Sequence, residues 1–581
     1  MALLPKMDYE YNERSVTDVF AGYEHRLKIG DGAFFDTENM STAAWPLLAA
    51  RRKRGLVRKL SAPGGILAKE KLALIEGGRL IYGGEETGVK GLAEGEKQLV
   101  SMGACLCIFP DKVYFNTAEP TDFGSMEAEY RSHGRVRYSL CRIDGTDYEG
   151  VTVSPEAPAD PVNAATWLDE KNGRLLEWSA ASEEWTEIPT VYTRVEFDSC
   201  GIVPRRFRAN DGVTISGADL ERVNGSHILS AVGGGESAPD YIVTAGLLTE
   251  AVTQTEGSVV LSRRVPDLDY VCEAKNRLWG CKYGTMDGES VNALYCCALG
   301  DFRNWEQFAG LSTDSWRASV GSDGPWTGAV NYLGCPMFFK ENRIHRVSVS
   351  AAGAHQVSET VCRGVQEGCW KSLQVVNETL FYKSRADVCA YQGSFPESVS
   401  DALGDESYSD AAAGSSGDRY YISMKDAAGR FQLFVFDGKR GLWMREDSTH
   451  VLRFAALGDE LYAMTENALW ALNGTEGEPE PFVAWYAESG MQGYEYPDRK
   501  YISRFNLRLW MEEGAACDVY LRYDSSGEWV HQGRIRRKGT GTVTLPVRPR
   551  RCDHFQLRLA GRGDVKLYSI AKILSIGSDV G

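Results

Sequence analysis

The side chains best suited to ionic chemistry lie in one short basic segment. Six cationic residues occur within nine positions, namely Arg51, Arg52, Lys53, Arg54, Arg58 and Lys59. Such a cluster can contact phosphate groups or an acidic protein surface. The segment lacks interleaved aromatic residues, on which single-stranded nucleic acids stack. We therefore predict that the cluster contacts a neighbouring subunit or an acidic partner, and the alternative is a solvated, charged edge before the first strand.

The spacing of histidines and cysteines predicts no metal centre and no catalytic motif. The eight histidines are scattered, and none forms HExxH or a comparable ligand pattern. The sequence has no CxxC pair, no GxSxG elbow and no phosphate-binding loop. Most of the 14 cysteines lie in apolar runs, which predicts reduced, buried side chains. We therefore predict no catalytic residue, no cofactor and no metal ligand, and hence a chain that is not an enzyme.

One stretch leaves glycoside hydrolysis open as an alternative. Ser319–Trp326, SVGSDGPW, is a compressed form of the S-x-D-x-G-x-x-W box of sialidase-type propellers. Those enzymes repeat the box and use three arginines, whereas this chain has it once. A second alternative is a receptor- or glycan-binding protein in which Trp305, Trp316 and Trp326 stack on sugars. Burial of these tryptophans in sheet cores is the competing interpretation.

A repeated β-hairpin predicts the scaffold. Hairpin phrases align on Gly334, Asn377, Gly417 and Gly458, which are 43, 40 and 41 residues apart. The last of them, Leu457–Gly474, has two alternating apolar runs around a polar turn. A strand-only period of about 40 to 50 residues is typical of β-propeller blades. We predict an all-β fold with about six blades, closed by a strand near 55–60 that pairs with the last blade.

The repeat is interrupted once and extended once. A gap of about 140 residues between matching hairpins is too long for a loop, so it predicts an inserted β-barrel or sandwich. After the last hairpin, RFNLRLW places Phe505, Leu507 and Leu509 on one strand face, as in a β-sandwich. The predicted segments are an N-terminal arm at 1–60, the first propeller part at 61–124, the insert at 125–264, the remaining propeller at 265–475 and a C-terminal sandwich at 476–581.

Composition narrows the classes of function. The net charge of −16 argues against a general nucleic-acid binder, which would be basic. An acidic pore that repels passing DNA is compatible with it. The sequence has no run of 18 apolar residues, so no membrane-spanning segment is predicted. The N-terminus also lacks the pattern of a signal peptide.

Three phrases in this sequence resemble virion proteins of bacteriophages that infect Gram-positive hosts. They are GAFFDTENMS and PLLAARRKR within Gly32–Arg54, LLEWSAASEEWTEIPTVYTRV at Leu175–Val195, and RCDHFQLRLAGRGDVKLYSI at Arg551–Ile570. The chain resembles the tail nozzle and hub proteins of the phage neck. The resemblance implies a propeller with an inserted barrel and a C-terminal sandwich, assembled as a hexamer below the portal and adaptor proteins and above other tail proteins.

The same resemblance implies a location and a role. The protein is expected in the virion tail or neck after synthesis in the bacterial cytoplasm, where its ring conducts or retains genomic DNA without sequence recognition. The family carries over no catalytic residue. In this interpretation the arm 1–60 lies across the adjacent subunit, so removing residues 1–54 is predicted to prevent ring assembly while the propeller stays folded.

Overall fold

The structure is a computed structural model that describes residues 11–26, 28–350, 353–495, 499–547 and 550–576. These residues form 53 β-strands and very little helix. The helical elements among them are the α-helix Val203–Arg206 and the 3-10 turns Thr42–Ala44, Glu221–Val223, Trp370–Ser372 and Asp401–Leu403. The prediction of an all-β chain is confirmed.

Seven antiparallel units of four strands, which we call ring sheets 1 to 7, make up the scaffold; the first five are separate sheets, and the last two are parts of a ten-stranded and a five-stranded sheet. Sheets 1 to 3 comprise Pro63–Ala68, Leu72–Glu76, Arg79–Tyr82 and Glu85–Lys90; Gln98–Met102, Cys105–Phe109, Val113–Asn116 and Phe123–Ser125; and Tyr270–Glu273, Leu278–Met286, Glu289–Cys296 and Trp316–Ser319. Sheets 4 and 5 comprise Gly328–Tyr332, Cys335–Lys340, Arg343–Val349 and His355–Val361; and Gln374–Val376, Thr379–Lys383, Val388–Tyr391 and Glu397–Ser398. Sheets 6 and 7 comprise Ser409–Ser416, Arg419–Lys425, Phe431–Asp437 and Leu442–Asp447; and Arg453–Leu457, Glu460–Met464, Ala468–Ala471 and Gly55–Lys59.

The ring is closed by a strand from the start of the chain. First strands of successive sheets lie side by side except between ring sheets 4 and 5, where the first strand of ring sheet 4 contacts the turn Trp370–Ser372, and the first strand of ring sheet 7 contacts that of ring sheet 1. Gly55–Lys59 pairs antiparallel with Ala468–Ala471, so that Lys59 lies opposite Ala468. The short strand Glu478–Pro479 covers the other edge of this closing strand. The predicted closing strand is therefore present, and it completes ring sheet 7.

The count of ring sheets differs from the expected six. Two sheets, and not one, precede the insert. Each is completed by a polar or very short fourth strand, Glu85–Lys90 in ring sheet 1 and Phe123–Ser125 in ring sheet 2. Such strands lack the apolar alternation from which strands are recognised in a sequence, so the two hairpins appeared to belong to one blade.

The repeating turn residues have a conformational cause. Gly334, Asn377, Gly417 and Gly458 each lie between the first and second strands of ring sheets 4 to 7. Their φ angles are +77°, +45°, +58° and +60°. Glycine and asparagine adopt this left-handed region more readily than other residues, which explains why they recur at this place.

The insert between ring sheets 2 and 3 contains two sheets. The insert sheet has eight antiparallel strands around one hydrophobic core, to which Tyr138, Phe197 and Ile242 contribute. The small sheet has a parallel and two antiparallel pairings. In spatial order the insert sheet comprises Ala128–Arg131, Val260–Arg263, Gly212–Ser216, Gly225–Gly235, Ala238–Ala245, Tyr192–Phe197, Val136–Cys141 and Val252–Gln254, and the small sheet comprises Thr152–Ser154, Thr166–Asp169, Arg174–Ser179 and Glu184–Glu187.

The C-terminal part is a sandwich of two sheets, completed by strands from the N-terminus. One sheet comprises Met40–Ser41, Leu48–Ala50, Val565–Ile576, Lys500–Met511 and Gly539–Pro546, with Tyr11–Thr17 paired to Val565–Ile576. The other continues ring sheet 6 through Gly22–Tyr23, Ala33–Glu38, Ala484–Ser489, Phe555–Arg562, Ala516–Tyr523 and Val530–Ile535. Phe505, Leu507 and Leu509 lie in the core of the sandwich, as their alternation predicted.

The N-terminal segment is not a separate arm in this structure. Within 11–60, the strands pair with the C-terminal sandwich and with ring sheet 7 of the same chain. Phe20, Phe34 and Leu48 are part of the sandwich core. Removal of residues 1–54 would therefore remove strands and core side chains from the sandwich. Residues 1–10 lie outside the described residues.

Candidate functional site

Arg54 of the predicted basic cluster is buried in ion pairs within its own chain. Its guanidinium lies 2.7 Å from a carboxylate oxygen of Glu446 and 2.7 Å from one of Asp447. Burial alone would raise the pKa of Asp447, but the positive charges of Arg54 and Arg51 and the hydrogen bonds from Thr449 together hold that pKa below its usual value. Arg54 therefore joins the closing segment to ring sheet 6 and is not a surface contact.

The other five members of the cluster point to different surroundings. Arg51 lies 2.7 Å from Glu480, and Arg58 lies 3.3 Å from Glu76. The Lys53 ammonium lies 5.1 Å from the centre of the Phe482 ring. Arg52 and Lys59 are exposed. The six residues thus form no common basic face, because four of them are used inside the chain.

An acidic surface lies on the small sheet. Residues 143–190 contain eleven acidic and two basic residues. Three half-exposed or buried tryptophans form a chain on this sheet, with Trp185 5.5 Å from both Trp167 and Trp178. Ile143, Val153 and Val162 are exposed in the same unit. The small sheet therefore combines negative charge with exposed apolar side chains, a combination that suits contact with a basic protein surface.

A basic surface lies on the C-terminal sandwich. Residues 529–547 contain four basic and no acidic residues, of which Arg534 pairs with Asp518 at 2.8 Å and Lys538 with Glu513 at 2.6 Å. Their strands Val530–Ile535 and Gly539–Pro546 are the edge strands of the two sandwich sheets. Arg536, Arg537 and Lys538 form the turn between them, and Arg536 and Lys538 are exposed. We call residues 529–547 the basic edge. The net charge of the whole chain, −16, hides this local excess of positive charge.

The candidate sialidase-like box lies in the connection between ring sheets 3 and 4. Trp326 is buried and packs 4.5 Å from the Lys340 ammonium. The Ser322 hydroxyl lies 3.0 Å from Nε2 of His345, and a Glu359 oxygen lies 3.3 Å from the same nitrogen. A catalytic relay needs its base and its orienting carboxylate on opposite ring nitrogens. This group therefore serves packing, and burial lowers the pKa of both Lys340 and His345.

The insert is fixed on ring sheet 3 by a polar junction. The backbone N–H of Gly212 donates to the side-chain oxygen of Asn304 at 3.0 Å, and the Asn304 amide donates to the Asn210 carbonyl at 2.7 Å. Arg263 and Asp211 form a buried ion pair of 2.5 Å beside it. A Cβ on Gly212 would overlap the backbone of Glu306. The two units are therefore held in close backbone contact.

A cavity of about 640 Å³ opens beside this junction, and we call it the junction cleft. The insert and its two connections to the ring supply one wall, which includes Glu129 and Arg264. Ring sheet 3 supplies the other wall, which includes Tyr295, Glu306 and Arg317. Burial raises the pKa of the Glu306 carboxyl. A concave site of this size with a few converging polar groups is suited to a small ligand.

The described residues contain no cluster of three or more histidine, cysteine or acidic side chains placed to hold a metal ion. All 14 cysteines lie in the described ranges and are free thiols. Ten of them are buried, as the apolar runs predicted. No helix within the described part of the chain is long and apolar enough to cross a membrane.

No protein-family model matches this sequence, and no curated protein matches it. Solved structures do match. An exo-β-1,3-galactanase from Phanerochaete chrysosporium is 9% identical over 52% of this chain and 94% of its own, with a TM-score of 0.21. An arabinoxylan arabinofuranohydrolase from Bacillus subtilis is 9% identical over 53% and 95%, with a TM-score of 0.19. Trypanosoma rangeli sialidase is 9% identical over 96% and 95%, with a TM-score of 0.23.

These matches contradict the prediction that the chain is not an enzyme, because the three matched proteins are glycoside hydrolases or a sialidase. That prediction depended on the lack of catalytic motifs in the sequence. Glycosidases generally use two carboxylates that come together only in the fold, so the lack of a motif excludes nothing. The exclusion of enzymatic activity is withdrawn. TM-scores of 0.19 to 0.23 carry no substrate or mechanism over to this chain.

Proposed function

We propose that this chain is a structural protein of a bacteriophage tail or neck. Copies of it assemble into a ring, a nozzle or hub below the portal and adaptor proteins, which conducts or retains genomic DNA. The ring sheets act as the blades of a seven-bladed β-propeller. The order of parts supports the proposal, because a propeller, an insert and a C-terminal sandwich are what the resemblance to nozzle and hub proteins implies. Propellers host many functions, so the added parts carry the argument.

The observation that carries ring formation is the opposite charge of two surfaces on one chain. The acidic small sheet belongs to the insert, and the basic edge belongs to the C-terminal sandwich. Two different complementary surfaces on one subunit form head-to-tail contacts, which close into rings. In the proposed hexamer, the small sheet of each copy contacts the basic edge of the next.

The DNA passes through the assembled ring without sequence recognition. The net charge of −16 repels phosphate over most of the surface, which keeps the strand from adhering to the channel. Arg51, Arg54 and Arg58 of the predicted basic cluster pair with carboxylates of their own chain, so their charges are neutralised there. The protein belongs to the virion and is made in the cytoplasm of the bacterial host.

Charge reversal tests the proposed contact. One variant carries Glu170→Lys, Glu183→Lys and Glu184→Lys on the small sheet, and a second carries Arg536→Glu, Arg537→Glu and Lys538→Glu on the basic edge. Each is expected to lose ring assembly, because like charges then face each other across the contact. A chain that carries all six substitutions restores the attraction and is expected to form rings again. Native mass spectrometry measures the copy number in each case.

A matched control separates this effect from a change in net charge. Glu85→Lys, Glu94→Lys and Glu119→Lys reverse three exposed acids on or next to ring sheets 1 and 2. The control variant should assemble as the parent does. If the two triple variants of the contact also assemble as the parent does, the ring is built from other surfaces and the head-to-tail assignment is wrong.

A further inference from the structure

The junction cleft contains a buried hydroxyl that the protein itself does not use. Tyr295 is only 4% exposed, and its Oη has no hydrogen-bond partner in the described part of the chain. Buried polar groups are nearly always paired, and leaving one unpaired destabilises the fold. A group of this kind at the wall of a cavity is suited to a ligand that supplies the missing partner.

Further uncommitted polar groups surround Tyr295. The Arg317 guanidinium lies 5.3 Å from the centre of the Tyr295 ring. Within the described ranges neither Arg317 nor Arg264 forms an ion pair, and the same holds for the carboxylates of Glu129 and Asp287. The Glu306 carboxylate meets only the Thr214 hydroxyl, at 3.4 Å. The cleft therefore offers two guanidinium donors, three carboxylate acceptors and one phenol.

This mixture of groups selects the chemical class of the ligand. A phosphate or another small anion would meet three carboxylates, and a metal cation would meet two guanidinium groups. A neutral ligand whose groups both donate and accept hydrogen bonds satisfies both sets at once. Vicinal hydroxyls of a sugar do so, since carboxylate and guanidinium are both planar and bidentate. Phe308, 57% exposed at the rim, adds an apolar ring face.

We propose that the junction cleft binds a neutral oligosaccharide, with its hydroxyl groups held by Tyr295, Arg317 and Glu306. The cleft volume of about 640 Å³ falls within the range of small-molecule sites. The site goes beyond the proposed role in the virion, because it gives the protein a ligand that ring assembly does not require. Its place at the junction also means that a bound saccharide contacts both the insert and ring sheet 3.

The test is binding of the full-length protein to an array of neutral oligosaccharides, followed by titration calorimetry with the strongest binder. At least one neutral oligosaccharide is expected to bind. Tyr295→Phe removes a hydroxyl without changing the shape, and it should weaken that binding about 5- to 10-fold, which corresponds to one hydrogen bond. Its melting temperature should not fall, because the hydroxyl makes no bond within the protein.

A second tyrosine provides the matched control. The Tyr420 hydroxyl in ring sheet 6 donates to the Ser372 carbonyl at 2.8 Å. Tyr420→Phe should therefore lower the melting temperature and leave saccharide affinity unchanged. The proposal is overturned if no neutral saccharide binds, if Tyr295→Phe binds as tightly as the parent, or if inorganic phosphate or calcium displaces the saccharide. None of these outcomes depends on ring assembly, so the two proposals can fail separately.

Discussion

At the scale of single residues, Arg54 belongs to the basic cluster that the sequence shows, but its side chain is buried in ion pairs within the chain. We expect Arg54→Met to reduce the free energy of unfolding by about 3–5 kcal/mol, because it leaves the buried carboxylates of Glu446 and Asp447 without a counter-charge. Denaturant unfolding at pH 7 measures the loss. Arg52→Met at the exposed neighbouring position is the control, and it should change the free energy by less than about 0.5 kcal/mol.

The ion pair between Arg54 and Asp447 predicts that the free energy of unfolding depends on pH. The pKa of Asp447 is lowered in the folded state, because the charges of Arg54 and Arg51 and the hydrogen bonds from Thr449 together exceed the effect of burial. A lowered folded pKa stabilises the protein above the unfolded pKa of about 4, and this stabilisation is lost as the pH falls through the folded pKa. In Arg54→Met, burial without the cation raises the pKa of Asp447, so acid relieves the destabilisation. The difference in unfolding free energy between parent and variant should therefore shrink from pH 7 to pH 4; a constant difference would contradict this assignment.

The residue types alone predicted which apolar side chains are buried, but they did not predict which charged side chains pair with each other. Alternation placed Phe505, Leu507 and Leu509 in a core, because one face of a sandwich strand is apolar by necessity. Nothing near Arg54 in the sequence indicates that its partners lie about 390 residues away in ring sheet 6. Tyr295 and Glu306 of the junction cleft belong to no recognisable sequence motif either. The residues that face them in the cleft are distant in the sequence, because they come from the insert and its connections.

At the scale of elements, the stability of the ring depends on the closing strand Gly55–Lys59. Gly55 begins this strand, and a Cβ at this position would overlap the carbonyl oxygen of Glu476. We expect Gly55→Ala to push the strand away from its neighbours and to lower the unfolding temperature by several degrees, as steric strain in a packed core does. Thermal unfolding followed by circular dichroism measures the change.

Gly124 provides the control for this substitution. It lies in the fourth strand of ring sheet 2, and a Cβ there would meet only the Tyr114 ring, at 3.9 Å. Gly124→Ala should leave the unfolding temperature nearly unchanged. Equal shifts for Gly55→Ala and Gly124→Ala would mean that closure by Gly55–Lys59 does not limit the stability of the ring.

The sequence predicted the elements inside the repeat and not those outside it. Period and turn residues located ring sheets 3 to 7 and the closing strand, because each sheet is built from neighbouring segments. The strands within 11–50 look like an arm in the sequence because their distant partners are Trp443 and strands that follow residue 480. Local apolar alternation reports that a strand has a buried face, and it contains no information about which distant strand covers that face.

At the scale of the whole molecule, the scaffold is one closed ring of sheets with two attached β units. The sandwich is tied to the ring by a continuous ten-stranded sheet, and the insert is tied to it by the hydrogen bonds of Asn304 with Gly212 and Asn210. Acidic and basic surfaces therefore keep a fixed relation within one chain, as a subunit of a closed assembly requires. The charge distribution supports the contact between copies, and the order of the parts supports the proposed role.

The most direct test of that role is the mass and image of the purified full-length protein. Native mass spectrometry should give a species of six 64.2 kDa copies, and negative-stain images should show a six-fold ring with a central channel. Raising the salt concentration should dissociate it, since the proposed contact is ionic. A protein that stays at 64.2 kDa at every concentration and shows no rings in the images would contradict the proposal.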